Sequence, residues 1–207
     1  MITRFSFFLF LGLTLASCTP IGMLVTAGTT AGTFAMEERG IKGVANDMSL
    51  KADVIGKWAK EDFEFATDLS VIVYNSKAMI TGSVETEEQR AQAIAMVWQV
   101  EGIKDVYNEI ILKKDSSLQD FAHDTWIDAE LFADTTFDSQ LMQINYKYNV
   151  EGGTVYVIGL AQSKAELNRF IAHAKSVSYV KKVVTHVDIK PQKSMFREKP
   201  KQTEMAK

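Results

Sequence analysis

The sequence predicts an α+β protein made of two tandem α-β-β-α-β units, each a three-stranded sheet covered by two helices. Three observations support this fold class. Hydrophobic residues form 46% of the 207-residue chain, which is enough to build packed cores. Apolar patterns with helical and strand periodicity follow one another in the same order twice. Landmarks also recur at one spacing, since Gly82 and Gly159 lie 77 residues apart, as do Ile103 and Val180.

The first unit, predicted at residues 47–114, begins with a helix capped by Asn46 and Asp47. One face of this helix carries apolar residues at helical spacing, namely Leu50, Val54 and Trp58. Strands are predicted at residues 69–74, 78–84 and 104–112. A second helix precedes the last strand and is predicted to bury Ala91, Ile94, Ala95 and Trp98.

The second unit, predicted at residues 121–190, repeats this order after a polar link at residues 113–120. Asp124 is predicted to cap its first helix, whose core face carries Ile127 and Leu131. Strands are predicted at residues 141–150, 154–160 and 180–189. The second helix is predicted to bury Leu167, Phe170, Ile171 and Ala174. Because a domain this small is marginal alone, we expect the units to pack together or against the N-terminal arm.

The N-terminus resembles a bacterial lipoprotein signal. Arg4 precedes an apolar run at residues 5–15, which is shorter than the roughly 20 residues that a membrane-spanning helix needs. Small residues then lead to the single cysteine, in a Leu15-Ala16-Ser17-Cys18 run that is similar to a lipobox. The resemblance implies acylation of Cys18, with a signal peptide at residues 1–17 and a lipidated tether at residues 18–46. The alternative is a plain secretory signal with an incidental cysteine.

The composition argues against several classes of protein. The formal net charge is −3, whereas a dedicated nucleic-acid-binding protein is usually strongly basic. One cysteine cannot form an intramolecular disulfide, and His123, His173 and His186 lack the spacing of a zinc site. The sequence shows neither a nucleophile–base arrangement nor a phosphate-binding glycine loop. We therefore expect no enzyme activity, no metal, no cofactor and no nucleic-acid partner.

The duplicated layout resembles the BON family of bacterial envelope domains. Each unit has a glycine at the end of its second strand, Gly82 or Gly159. Each also approaches its third strand through an Ile/Val-x-x-Val pattern, within residues 102–109, where Gly102 precedes it, and at residues 180–183. The resemblance implies an exported, non-catalytic protein that supports outer-membrane integrity and contacts phospholipid through the first helix of its second unit. The residues that match this helix are Asp124, Thr125, Trp126 and Ile127.

Trp126 is the leading candidate for a membrane contact. At 100° per residue it lies at the flank of the Ile127/Leu131 stripe, where an indole can reach the headgroup level. Alternatively, it covers the edge of the core. Phe132 lies away from that stripe, where it could form a contact surface or pack against the first unit.

Charge near this candidate helix is uneven. The helix is acidic, carrying Asp124, Asp128, Glu130 and Asp134, and an acidic helix is repelled by anionic headgroups. Positive charge lies on the last strand at Lys181 and Lys182, and on a tail at residues 191–207 that is predicted to be disordered and carries a net +3. The tail either solubilises the protein or contacts an anionic lipid or polymer.

These features predict a periplasm-facing lipoprotein held by an acyl anchor at Cys18. By resemblance to sorted lipoproteins, Thr19 after the cysteine implies the outer membrane. A second membrane contact is expected in the second unit, at Trp126, Ile127, Phe132, Lys181 and Lys182. The alternative function is a protein-interaction module that docks an envelope assembly or cell-wall partner.

Overall fold

The computed structural model describes residues 36–113 and 118–191. The first unit contains three helices: α1 (Gly40–Glu61), α2 (Phe63–Asp68) and α3 (Glu87–Trp98). Its strands are β1 (Leu69–Tyr74), β2 (Lys77–Val84) and β3 (Asp105–Leu112). The second unit contains α4 (Leu118–Thr136), a short 3-10 turn (Gln143–Asn145) and α5 (Lys164–Ser176). Its strands are β4 (Tyr146–Glu151), β5 (Thr154–Ala161) and β6 (Lys182–Ile189).

Both sheets have the same topology. The middle strand, β2 or β5, pairs antiparallel with the strand before it and parallel with the strand after it. The connection to the third strand is a helix, α3 or α5, as a parallel crossover requires. The chain therefore consists of two α+β units, each with a three-stranded sheet plus helices, as the sequence predicted.

The glycines of the middle strands are required by a close backbone approach. A Cβ atom at Gly82 would lie 2.3 Å from the carbonyl oxygen of Asp68, and one at Gly159 would lie 2.2 Å from that of Asn145. Both contacts are shorter than any real Cβ contact. Each glycine lies where the first strand of its sheet begins beside the middle strand. The 77-residue repeat therefore places the same close backbone contact in both units.

The predicted helix caps are wrong, because α1 and α4 begin earlier than expected. Asp47 lies inside α1, and its carboxylate accepts hydrogen bonds from the backbone amides of Asn75 and Ser76 at 2.8 Å. Asp124 lies inside α4 and accepts from the amides of Gly152 and Gly153 at 2.8 and 2.7 Å. Each carboxylate thus ties its helix to the tight turn between the first two strands of its sheet.

The helix α3 buries a different face from the one that the sequence predicted. Trp58 is fully buried as expected, and its indole donates to the carbonyl oxygen of Ala93 at 3.1 Å. Trp98, predicted to be a packing residue, is 52% exposed. The face of α3 that packs on the sheet carries Ala93, Met96 and Val97 instead. Two apolar stripes run along this helix, and periodicity alone could not choose between them.

The two sheets pack face to face. Their helix-free faces meet in an apolar cluster of Tyr74, Met79, Tyr156 and Ile158. Polar contacts surround it: Asn149 Nδ2 donates to Thr81 Oγ1 at 2.8 Å, and Lys77 Nζ lies 2.7 Å from a carboxylate oxygen of Asp188. His186 also bonds Glu109 at 2.7 Å while stacking on Tyr107 with centroids 4.0 Å apart. The molecule is therefore layered helix, sheet, sheet, helix.

Residues 36–39 bridge the two units. The backbone amide of Glu38 donates to Asn145 Oδ1 at 3.0 Å, and its carboxylate lies 2.8 Å from Lys190 Nζ. Glu37 is buried and forms an ion pair with Lys147 Nζ at 3.1 Å. The segment just before α1, predicted to be tether, is therefore packed against the second unit.

Candidate functional site

The outer face of α4 is apolar and rich in aromatic side chains. Phe121, Trp126, Phe132 and Phe137 are 74%, 53%, 55% and 87% exposed. At 100° per residue Phe121 and Phe132, eleven residues apart, lie in one row along the helix. Trp126 lies in a second row, which Phe137 continues directly after the last helical residue, Thr136. Small residues fill the space between the rows, namely Ala122, Thr125, Ala129 and Ala133.

The opposite face of α4 holds the core of the second unit. Ile127 and Leu131 are fully buried there, together with Tyr146 and Phe170. Ile127 was predicted to be a contact residue, but it presents no surface to a ligand and contributes to stability instead. Phe132 lies on the outer face of α4 and is 55% exposed. This exposure favours its interpretation as a contact surface over packing against the first unit.

Most acidic residues of α4 lie off the aromatic face. At helical spacing, Asp124, Asp128 and Asp134 fall on the half of the helix that carries the core residues. Asp124 is held by two backbone amides of the β4–β5 turn. Desolvation by the surrounding protein raises the pKa of the Asp128 carboxyl above its ordinary value. The negative charge of these three residues therefore lies beside the apolar surface, whereas the exposed Glu130, one turn after Trp126, borders the aromatic side of the helix.

Aromatic and basic groups meet at the β4–β5 turn. The His123 ring stacks on Tyr179 with centroids 3.9 Å apart. Lys181 Nζ donates to the carbonyl oxygen of Gly152 at 3.1 Å, and Lys182 follows at the exposed start of β6. Because Trp126 lies one turn after His123, the structure brings the predicted lysines to the same end of the unit as the indole.

Sequence reasoning missed two exposed aromatic residues and one ring stack of this surface. Phe121 and Phe137 are as exposed as the predicted aromatics, and their eleven-residue spacing from Phe132 and Trp126 was a usable signal. The stack of His123 on Tyr179 had no such signal, because the two rings come from distant parts of the chain.

The polar clusters elsewhere have structural roles. Asp138 accepts from Arg169, from His173 Nε2 at 2.6 Å and from the amide of Gln140 at 2.9 Å. These bonds, led by that from Arg169, hold the pKa of the Asp138 carboxyl well below its usual range. The network joins α5 to the loop after α4. Within residues 36–113 and 118–191, no three His, Cys, Asp or Glu side chains are grouped to hold a metal ion.

The match to known proteins follows this duplicated architecture. The BON domain model matches residues 46–114 and again residues 123–191. The chain belongs to the BON-domain family. It carries two BON domains in tandem, which correspond to the two structural units described above.

Curated relatives share most of the length of the chain. An uncharacterised protein of Anaplasma centrale is 34% identical over 69% of this chain and 96% of its own length. The outer membrane lipoprotein DolP of Haemophilus influenzae is 24% identical over 79% of this chain and 85% of its own length. The osmotically-inducible protein Y of Escherichia coli is 27% identical over 67% and 70% of the two chains. The protein is thus a DolP-like member of the family.

Cys18 and residues 192–207 lie outside the described residues. In the described part of the chain, no helix combines the length and the apolar character that crossing a bilayer requires.

Proposed function

We propose that the protein is a non-enzymatic, periplasm-facing outer-membrane lipoprotein whose second BON domain binds the phospholipid surface and supports envelope integrity. The observation that carries the proposal is the exposed aromatic face of α4, formed by Phe121, Trp126, Phe132 and Phe137. An exposed apolar face of this kind indicates a contact with a membrane or a protein. The likeness to a relative named outer membrane lipoprotein, and the lipobox-like run that ends at Cys18, favour the membrane.

The apolar face supplies the attraction in this proposal. A buried aromatic side chain contributes about 1.5–3 kcal/mol relative to an exposed one, and partial insertion contributes a fraction of that. Trp126 sits at the lipid–water boundary with its indole N–H directed to water. Lys181 and Lys182 each add about 1 kcal/mol near an anionic surface, which offsets repulsion from the acidic flank of α4.

The acyl anchor and the α4 face act together. Acyl chains on Cys18 hold the protein at the bilayer, so binding by α4 becomes a local event at high effective concentration. A weak second contact is then sufficient to orient the second BON domain on the membrane. Cys18→Ala is expected to release the protein from the membrane fraction, and retention at native levels would exclude the anchor.

Vesicle co-sedimentation tests the α4 contact without the anchor. The chain from residue 18 onward carrying Cys18→Ser is mixed with zwitterionic vesicles and with vesicles containing anionic phospholipid. Trp126→Ala is expected to lower vesicle partitioning roughly tenfold, in proportion to the apolar surface removed. Trp98→Ala is the matched control, because Trp98 is 52% exposed on a helix of the other BON domain. Equal effects of the two substitutions would refute the assignment.

A chain ending at Pro191 separates α4 from the basic tail. If binding survives Trp126→Ala but disappears without residues 192–207, the membrane contact lies in the tail. Docking of an envelope protein is the second candidate function, because Phe132 is exposed beside acidic residues that anionic lipid disfavours. A photo-crosslinker at position 132 distinguishes them, since lipid adducts support membrane binding and protein adducts support docking.

A further inference from the structure

A second apolar stripe lies on α1, at the opposite side of the molecule from α4. Its members follow one another at spacings of four, three, four, three and four residues: Ile41, Ala45, Met48, Ala52, Ile55 and Ala59. This is the heptad spacing of a helix–helix seam. All six residues are exposed, and the three large ones are 55%, 57% and 37% exposed. We call these six residues the α1 seam.

The α1 seam is distinct from the face of α1 that builds the first core. That face carries Leu50, Val54 and Trp58, which are at most 5% exposed. Among the described residues nothing covers the seam, which runs about 27 Å along the helix at 1.5 Å per residue. Both BON cores are complete without it, so its apolar character has no use within residues 36–113 and 118–191.

Gly56 is an independent sign that another molecule approaches this side of α1. It lies in the middle of a 22-residue helix and borders the seam at helical spacing. A Cβ atom there would meet nothing within 4 Å. Glycine nevertheless costs about 0.5–1 kcal/mol relative to alanine in a helix interior. Since none of the described groups requires the missing side chain, a close approach by a second molecule would account for the glycine.

The order of large and small residues in the seam is self-complementary. If a second α1 lies antiparallel, centred on Leu50, Ile41 faces Ala59, Met48 faces Ala52 and Ile55 faces Ala45 of the second copy. Every large side chain then meets an alanine, which lets the helices interdigitate closely. A parallel pair would instead place large on large and alanine on alanine.

We propose that α1 is a self-association surface, on which α1 of a second copy of this chain packs antiparallel about a two-fold axis near Leu50. The interface is isologous, so it closes into a dimer and does not propagate into a filament. In this register Gly56 faces the stem of Lys42 of the second copy. The proposal leaves the α4 face of each copy free.

The size and charge of the interface make the dimer weak in solution. A seam about 27 Å long and one helix wide, about 10–12 Å, covers roughly 300 Å² per partner, against about 800 Å² for a standard interface. Lys51 also lies beside the two-fold axis, where it faces Lys51 of the second copy. Confinement of both copies to one membrane would raise their effective concentration and favour the dimer.

Sedimentation equilibrium tests the proposal on the chain from residue 18 onward with Cys18→Ser, at up to about 1 mM protein, the range that a weak interface requires. Ala52→Glu is expected to weaken dimerisation at least about tenfold, because it buries an unpaired charge in the seam. Ala172→Glu, at an exposed position of α5, is the matched control and should leave dimerisation unchanged. Lys51→Gln should strengthen it. A monomer at all concentrations, or equal effects of both alanine substitutions, would overturn the proposal.

Gly56→Ala separates self-association from folding. It should raise the thermal midpoint of unfolding, because alanine favours the helix, while weakening the dimer several-fold. A stabilised protein with unchanged self-association would remove Gly56 from the argument and contradict the proposed register.

Disulfide trapping tests the orientation. Met48→Cys and Ala52→Cys are each placed in the cysteine-free background and mixed under mild oxidation. The antiparallel register predicts that the mixed disulfide forms faster than either homodimer. Faster formation of the Met48→Cys homodimer would indicate a parallel pair and refute the register.

Discussion

Removing the guanidinium of Arg39 tests how the segment before α1 stabilises the molecule. Arg39 Nε lies 2.6 Å from Glu37 Oε2, and Nη1 lies 2.6 Å from Asp47 Oδ2. Nη1 also donates to the carbonyl oxygen of Val73 at 3.1 Å, and the guanidinium stacks over the Tyr74 ring at 4.4 Å. The side chains of Arg39, Glu37 and Asp47 are only 6%, 3% and 3% exposed. Arg39→Met keeps an apolar stem of similar length and removes the charge.

The expected loss in the free energy of unfolding depends on which charged groups stay buried after Arg39 is replaced. Removing one member of a buried ion pair costs about 3–5 kcal/mol, because its partner stays desolvated without compensation. Here Glu37 keeps Lys147, while Asp47 keeps the amides of Asn75 and Ser76. We therefore expect the lower end of that range, about 3 kcal/mol, which corresponds to a fall of roughly 6–12 °C in the melting temperature of a chain of this size.

Urea unfolding followed by circular dichroism measures the change in free energy of unfolding. Arg90→Met is the matched control, because Arg90 pairs with Glu87 at the surface, where the two side chains are 33% and 55% exposed. Surface pairs contribute about 0–1 kcal/mol. If Arg39→Met costs no more than Arg90→Met, the buried network does not stabilise the fold and the reasoning is refuted.

Two further predictions concern pH. The lowered pKa of Asp138 stabilises the folded state only while the carboxylate is ionised, so Asp138→Asn should lower the free energy of unfolding at neutral pH, with the deficit shrinking below about pH 4. A deficit that stays constant on acidification would contradict this. Burial raises the pKa of Tyr74 to about 12, so above its unfolded-state pKa of about 10 the ionisation of this phenol favours unfolding, by about 1 kcal/mol at pH 11. Tyr74→Phe should reduce the alkaline loss in urea titrations by that amount only, because burial also raises the pKa of Tyr146 and of Tyr148. An unchanged loss would exclude Tyr74 as a contributor.

The order and type of the main elements could be predicted because they depend on local patterns. Alternation of apolar residues marked β1 at residues 69–74, and helical spacing marked Leu50, Val54 and Trp58 as a buried face. The 77-residue spacing between Gly82 and Gly159 then identified the second unit, because the same close backbone contact requires a glycine in each sheet. A periodic pattern records which side of an element is apolar, and that is usually the side it buries.

The same logic failed where one element has two apolar sides. Both stripes of α3 satisfy helical spacing, and only packing on the sheet decides that Val97 is buried and Trp98 exposed. The aspartates predicted as caps are a second case. Asp47 and Asp124 fit the composition of a helix start, but the amides they bind lie in the turns between two strands, about 28 residues away.

The sequence by itself determined that the chain has two BON-type units and that Phe132 lies away from the core stripe of α4, while it left Trp126 at the flank of that stripe. Only the tertiary structure decided that the two sheets pack face to face and that Arg39 is buried. It also brought Tyr179 and Lys181 beside the first turns of α4. These features join residues far apart in sequence, so they depend on how packed surfaces fit together and leave no local periodic signal.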